Sequence, residues 1–356
     1  MTLREAVGQV LVVGFEGAEL TKMESAWLRL LQPGGVILFR RNVESAMQTH
    51  ALLQSAEKAA VPPMLRYIDV EGGTVDRLRD VIAPMPSPFA VAATDKPALF
   101  EKHGSLIGEE VRMLGLNVTF APVLDLRTLA SEEVMTTRVV SGDPNQVARY
   151  ARSFLKGLAR QRVLGCGKHF PGLGSGQVDS HHATPSITKS FDLLWQEDLF
   201  PFRELAKQLS LVMISHAAYS VSGPEPASIS SYWMRKVLRK QIGYKGLIVS
   251  DDMEMGGILT YMGMGEAAVR SIAAGTEIVE ICRDPALIFA AYEAVLREAE
   301  ESPSFARLVR RAAAKVRTVG GARSMRLATP PTAAAVRRMR TAVERFTQEV
   351  ARGGPA

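Results

Sequence analysis

The stretch GLIVSDDMEM (246–255) runs from an apolar, β-branched segment straight into Ser-Asp-Asp. Without polar alternation, such a segment suits a parallel strand buried on both faces, and the carboxylates mark where it leaves the core. Seven further runs share this character: GQVLVVG (8–14), GVILFRR (35–41), MLRYIDV (64–70), LNVTFAP (116–122), RVLGCGK (162–168), LVMISHA (211–217) and EIVEIC (277–282). Helical patterns occupy the gaps at 18–31, 99–115, 143–161 and 191–209. Asp143 and Pro144 provide an N-cap and a first helical residue for the third of these, and Pro201 is expected to break the fourth.

Eight strand units separated by helices predict an α/β fold, a (β/α)8 TIM-type barrel, as a single domain with a C-terminal helical tail. The alternative, an open doubly wound sheet, usually carries a Gly-rich phosphate fingerprint after its first strand, and 8–14 has none. Residues 285–318 read as closing helices, 319–332 as a linker and 333–352 as one terminal helix. The expected division is a barrel over 1–320 and a basic linker and helix over 321–356.

Composition fits an ordinary globular chain: 356 residues, 47% apolar and 22% charged. No apolar run approaches the roughly 20 residues of a membrane span. The first residues, MTLREAVGQVLVVGFEG, make a poor signal peptide, because the apolar stretch is short and Glu5 interrupts it, so a cytoplasmic protein is expected. Cys166 and Cys282 lie inside strand runs without metal-ligand spacing and are expected to be reduced core thiols. The net charge of +6 is uneven: residues 305–356 hold twelve Lys/Arg against two Asp/Glu, a net +10, which leaves −4 for residues 1–304. The tail reads as a solvated Arg-rich helix in preference to a nucleic-acid surface. Neither a nucleic-acid nor a membrane partner is expected, and the chain is expected to be a monomer or a weak homo-oligomer.

Polar residues recur at the downstream ends of five of the runs: Asp69, Asp125, Lys168 with His169, His216 and Asp251. In a barrel that edge carries the chemistry, because eight loops converge on it. The long loop KHFPGLGSGQVDSHH (168–182) contains Asp179-Ser180-His181, in which a carboxylate can orient an imidazole and raise its basicity. The neighbouring His182 is ambiguous, and one of Asp251 and Asp252 could serve instead as a helix N-cap.

These motifs resemble glycoside hydrolase family 3, specifically its single-domain β-N-acetylhexosaminidases of cell-wall recycling. The resemblance spans roughly residues 5–320. It is carried by VGQVLVVGF (7–15), GGVILFRRN (34–42), IDVEGGTVDRL (68–78), NVTFAPVLDL (117–126), KHFPG with DSHH (168–172, 179–182), PASIS (226–230) and VLRKQIGYKGLIVSDDMEM (237–255). It implies Asp251 as nucleophile, His181 as acid/base and Asp179 as its orienting partner. It further implies Asp69, Arg77, Arg138, Lys168 and His169 as sugar-binding residues, a small GlcNAc-containing carbohydrate as substrate, and no metal or cofactor. A retaining glycosidase needs a carboxylate beneath the anomeric carbon and a proton donor beside the leaving oxygen.

The chain departs from the family pattern in three places. Leu173 stands where KHFPGHG has its second His, Ser175-Gly176 where the following segment often carries an Asp, and Val70 and Thr74 where Gln and Arg are common. The implied reaction is removal of terminal β-linked N-acetylglucosamine from muropeptide fragments. Phosphorolysis on the same site, a β-glucosidase or β-xylosidase activity, a non-catalytic sugar-binding paralogue and a metal hydrolase built on His169, His181, His182 and Asp251 are the alternatives.

Overall fold

Local signals set most helix starts. Thr2 with Glu5, Thr21 with Glu24 and Ser45 with Gln48 form reciprocal capping boxes, starting helices at Leu3–Gln9, Lys22–Leu31 and Ala46–Ala59. Elsewhere a capping Ser or Asp is followed by proline at the first helical position: Ser87-Pro88, Asp143-Pro144, Asp284-Pro285 and Ser302-Pro303. These caps satisfy the orphan N–H groups of each first turn.

The computed structural model describes residues 1–60, 64–129, 131, 135–174, 184–321 and 326–353. Eight parallel strands close into a barrel: β1 Leu11–Val13, β2 Gly35–Leu38, β3 Leu65–Ile68, β4 Val118–Thr119, β5 Leu164–Phe170, β6 Leu211–Ile214, β7 Leu247–Asp252 and β8 Ile278–Ile281. Each strand pairs with its sequence neighbours, and β1 pairs with β8 to close the ring. This is the expected (β/α)8 architecture. Side chains that alternate inward, among them Leu65, Tyr67, Val118, Phe120, Val249 and Ile278, fill the lumen as a core of their own. A larger apolar shell lies between strands and outer helices. Cys166 and Cys282 are free, buried and part of the lumen cluster.

Two runs shrink on folding. Gly8 and Gln9 belong to the first helix, because the Thr2–Glu5 box starts it early enough to reach them. The fourth strand is only two residues long; Pro122 has no N–H to continue the ladder, and Val123 makes an isolated bridge to Lys168. The expected helix at 191–209 divides into Phe191–Gln196 and Phe200–Leu205, with Pro201 in the first turn of the second piece.

The terminal helix spans Ala333–Gly353 and docks on the barrel. Met339, Val343, Phe346 and Val350 form its buried stripe, while Arg337, Arg338, Arg345 and Arg352 face solvent. Phe346 packs against the buried imidazole of His103, ring centroids 5.7 Å apart. Among the described residues, no helix is long and apolar enough to cross a membrane.

Candidate active site

The downstream ends of β3, β5 and β7 converge on one cavity of about 150 Å³. Its lining includes Asp69, Arg77, Arg138, Lys168, His169 and Asp251, six of the eight residues singled out from the sequence. Asp179 and His181 lie outside the described residues. A larger cleft of about 550 Å³ opens beside the upstream ends of β7 and β8, where Lys315 and Arg239 are tied to Glu277 and the Gly246 carbonyl. It is on the face that stabilises barrels, not the one that carries their chemistry.

An ion cluster builds one wall of the cavity. Lys168 donates to Asp69 Oδ1 at 2.8 Å and reaches Glu71 Oε1 at 2.7 Å. Arg138 grips Glu71 through two parallel bonds, Nε to Oε2 and an Nη to Oε1, each 2.9 Å. Burial alone would raise the Glu71 pKa, but Arg138 and Lys168 outweigh it and hold the carboxyl at about 2. Burial likewise works against the charges of Lys168 and Arg138, and their carboxylate partners reverse it, raising both. The result is a fixed set of donors and acceptors that suits sugar hydroxyls.

His169 is held by Asp125, whose Oδ2 accepts from the ring Nδ1 at 2.6 Å and from the His169 N–H at 3.1 Å. The other Asp125 oxygen accepts the Leu173 N–H at 2.6 Å. This bonding fixes the imidazole tautomer and orientation. Arg77 brings a guanidinium whose Nε has no partner among the described residues, and it stands over the Phe39 ring at 5.8 Å.

Asp251 ends β7. Burial favours its neutral form, but His169, His216, Lys168 and the Asp252 N–H outweigh that, and its pKa is lowered. It is therefore an ionised carboxylate on the cavity wall. His216 at the end of β6 is fully buried; its Nδ1 meets Ser228 Oγ at 2.7 Å and its Nε2 donates to the Asp252 carbonyl at 3.0 Å. Burial pushes its pKa down, and its two bonds brace the end of β7. Asp252 caps the following turn by accepting the Glu254 N–H, and burial raises its pKa to about 7. The adjacent carboxylates thus differ in charge state, Asp251 ionised and Asp252 poised near neutrality.

The chain matches the model for the glycosyl hydrolase family 3 N-terminal domain over residues 2–319. The chain belongs to glycosyl hydrolase family 3. A β-hexosaminidase of Pseudomonas aeruginosa is 36% identical over 298 residues, covering 83% of this chain and 88% of that protein. A β-hexosaminidase of Idiomarina loihiensis is 33% identical over 280 residues, covering 78% and 84%. Among solved structures, a family 3 β-N-acetylglucosaminidase from Paenibacillus superposes with a TM-score of 0.88 at 31% identity, covering 98% of this chain and 69% of that one. A β-N-acetylhexosaminidase from Beutenbergia cavernae gives 0.82 at 27%, covering 90% and 99%. As a family 3 member, the chain is a glycoside hydrolase.

The departures from the family 3 pattern have local structural readings. Leu173 lines the cavity with an apolar side chain, while its backbone N–H still holds Asp125. Val70 is buried and exchanges bonds with Thr119, whose hydroxyl accepts its N–H and donates to its carbonyl. Thr74 is exposed at the tip of the Val70–Asp76 hairpin. Among the described residues, no group of three or more His, Cys, Asp and Glu could hold a metal ion. The residues overlooked in the sequence are Glu71, which organises the ion cluster, and Glu280, which lines the cavity from β8. Glu280 sits at an inward position of β8 and Glu71 in the Val70–Asp76 hairpin after β3; both are buried where an apolar residue is the ordinary choice, and that anomaly was the available signal.

Proposed function

We propose that this glycoside hydrolase is a retaining exo-β-N-acetylglucosaminidase that removes terminal non-reducing GlcNAc from peptidoglycan-derived muropeptides in the cytoplasm. The observation that carries the reading is the ionised, half-buried Asp251 facing a small polar cavity whose other wall is the Asp69–Lys168–Arg138–Glu71 cluster. A cavity of about 150 Å³ fits one sugar ring better than a long chain, which favours action at a chain end. The relatives' names, β-hexosaminidase and β-N-acetylglucosaminidase, support the choice of sugar.

In this mechanism Asp69, Lys168, His169, Arg138 and Arg77 bind the terminal sugar through its hydroxyls and place C1 over Asp251. An Asp251 oxygen attacks C1 as the C1–oxygen bond to the aglycone breaks, and His181, oriented by Asp179, gives its proton to the departing oxygen. Water then enters, His181 takes its proton, and the hydroxide attacks C1 and releases Asp251. No cofactor takes part. Hydrolysis of an aryl β-N-acetylglucosaminide and of GlcNAc–anhydro-N-acetylmuramic acid, with and without phosphate, tests the reading. Release of free GlcNAc at a rate indifferent to phosphate is expected. GlcNAc 1-phosphate as product would make the enzyme a phosphorylase, and faster turnover of the aryl glucoside or xyloside would replace the assigned sugar.

A further inference from the structure

Glu280 stands at an inward position of β8, between Ile278 and Cys282, which both belong to the apolar lumen core. It is 3% exposed and lines the floor of the cavity that holds Asp251. One carboxyl oxygen, Oε1, accepts from the Cys282 thiol at 3.1 Å. The other, Oε2, has no hydrogen-bond partner among the described residues. Buried polar atoms are nearly always paired, so an unpaired one on a residue that lines a ligand cavity points to the ligand as its partner.

We propose that Glu280 is a specificity-determining residue of this site, its free Oε2 hydrogen-bonding a polar substituent of the sugar seated over Asp251. The proposal rests on reading the cavity as the terminal sugar site. The surroundings suit this role. Burial first, then the Asp252, Asp69 and Asp251 carboxylates, push the Glu280 pKa well above the usual range and favour the protonated acid. A carboxylic acid can donate to an acetamide carbonyl or hydroxyl oxygen, which the ionised Asp69 and Asp251 cannot do. His216, on the other flank of β7, has both ring nitrogens engaged and offers the sugar nothing. A site built to hydrogen-bond a substrate group discriminates strongly against analogues that lack it, because its own buried group is then left unpaired.

The test compares kcat/KM of the full-length enzyme and the variants Glu280→Asp, Glu280→Gln and Glu280→Leu on three 4-nitrophenyl β-glycosides. These are the N-acetylglucosaminide, its C4 epimer the N-acetylgalactosaminide, and the glucoside, which carries a hydroxyl at C2. Glu280→Gln, which keeps a donor at the same length, is expected to stay within about tenfold on the preferred glycoside. Glu280→Leu is expected to lose about 100-fold or more there and much less on the analogue lacking the group that is read. One of the two discrimination ratios therefore collapses by at least about tenfold, and which one collapses identifies the C2 or the C4 substituent. Glu280→Asp, which retracts the carboxyl by one methylene and preserves the buried acid, is expected to shift the same ratio in the same direction. Unchanged ratios in a folded Glu280→Leu enzyme overturn the proposal; if that variant does not fold, unchanged ratios in Glu280→Asp do so. If the wild-type enzyme turns over none of the three glycosides, the sugar-site reading itself falls and takes this proposal with it.

Discussion

Arg138 and Glu71 meet fork to fork, two N–H···O bonds of 2.9 Å joining a guanidinium from the loop after β4 to a carboxylate from the loop after β3. Glu71 is almost wholly buried and also takes Lys168, so this pair fixes the geometry of the Asp69–Lys168 contact. Glu71→Gln leaves two buried cations underpaired and is expected to cost about 3–5 kcal/mol of stability. It should also lower kcat/KM by displacing Lys168. Arg138→Lys cannot restore the two-pronged contact and should behave as a loss. Chemical denaturation of both variants beside their steady-state kinetics checks this; wild-type values in both would contradict the positioning role.

His103 and His216 should each make stability fall as pH drops below about 6.5, while the raised carboxyls of Asp252 and Glu280 act in the opposite sense over the same range. His103 is fully buried, and burial lowers its pKa to about 3; His216 is lowered for the same reason. Each ring binds a proton more readily in the unfolded chain, so its stabilising contribution is complete above pH 6.5 and is lost as pH falls toward the folded value. The slope is up to about 1.4 kcal/mol per pH unit per histidine. The difference in denaturant midpoints between wild type and His103→Phe, followed from pH 7 to 5, isolates the His103 share. That window lies above the range in which Glu71 titrates. His103→Phe should remove close to one proton from the slope, whereas an unchanged slope would mean that His103 is accessible to protons when folded.

The terminal helix should matter for stability and little for chemistry. Phe346 is fully buried against His103, and that ring is bonded through Nδ1 to the Tyr150 hydroxyl at 2.8 Å. Phe346→Ala is expected to cost about 3–5 kcal/mol. Arg337→Ala and Arg338→Ala, on the solvent side of the same helix, should stay within about 0.5 kcal/mol. Ending the chain after residue 321 should lower the melting temperature by more than Phe346→Ala does, with the kinetic constants of the folded fraction within a few-fold of wild type. A loss of more than roughly 100-fold in a folded truncated enzyme would give the helix a direct part in the site.

How far the sequence carries is visible in particular residues. The eight apolar runs predict the barrel because a parallel strand buried on both faces has little freedom in composition. The rim residues Asp69, Lys168, His169 and Asp251 were legible because polar groups ending such runs have few structural reasons to be there. Glu71 and Glu280 were not, since strand periodicity gives facing but not partners. Arg138 reaches Glu71 across 67 positions, and Glu280 reaches the cavity only when β8 closes on β1. The short β4 and the early first helix were set by Pro122 and the Thr2 cap, local effects that override hydrophobic pattern.

The leaving-group dependence of His181 variants tests the acid/base assignment. General acid catalysis typically contributes about 10² to 10⁴-fold. His181→Ala should lose most of the glycosylation rate on natural aglycones and much less on activated aryl glycosides, which barely need a proton. Asp179→Asn should show the same pattern more weakly, because the imidazole remains without its orienting charge. Equal losses on good and poor leaving groups would assign the proton donor elsewhere.

The nucleophile is the centre of the account, and covalent trapping tests it most directly. A slow fluorinated β-N-acetylglucosaminide analogue, followed by proteolysis and mass spectrometry, should leave one sugar on the peptide containing Asp251, with fragmentation placing it on that side chain. Asp251→Asn should abolish both label and turnover while the enzyme stays folded. Label on Asp252, or turnover without any covalent sugar, would contradict the double-displacement mechanism built on Asp251.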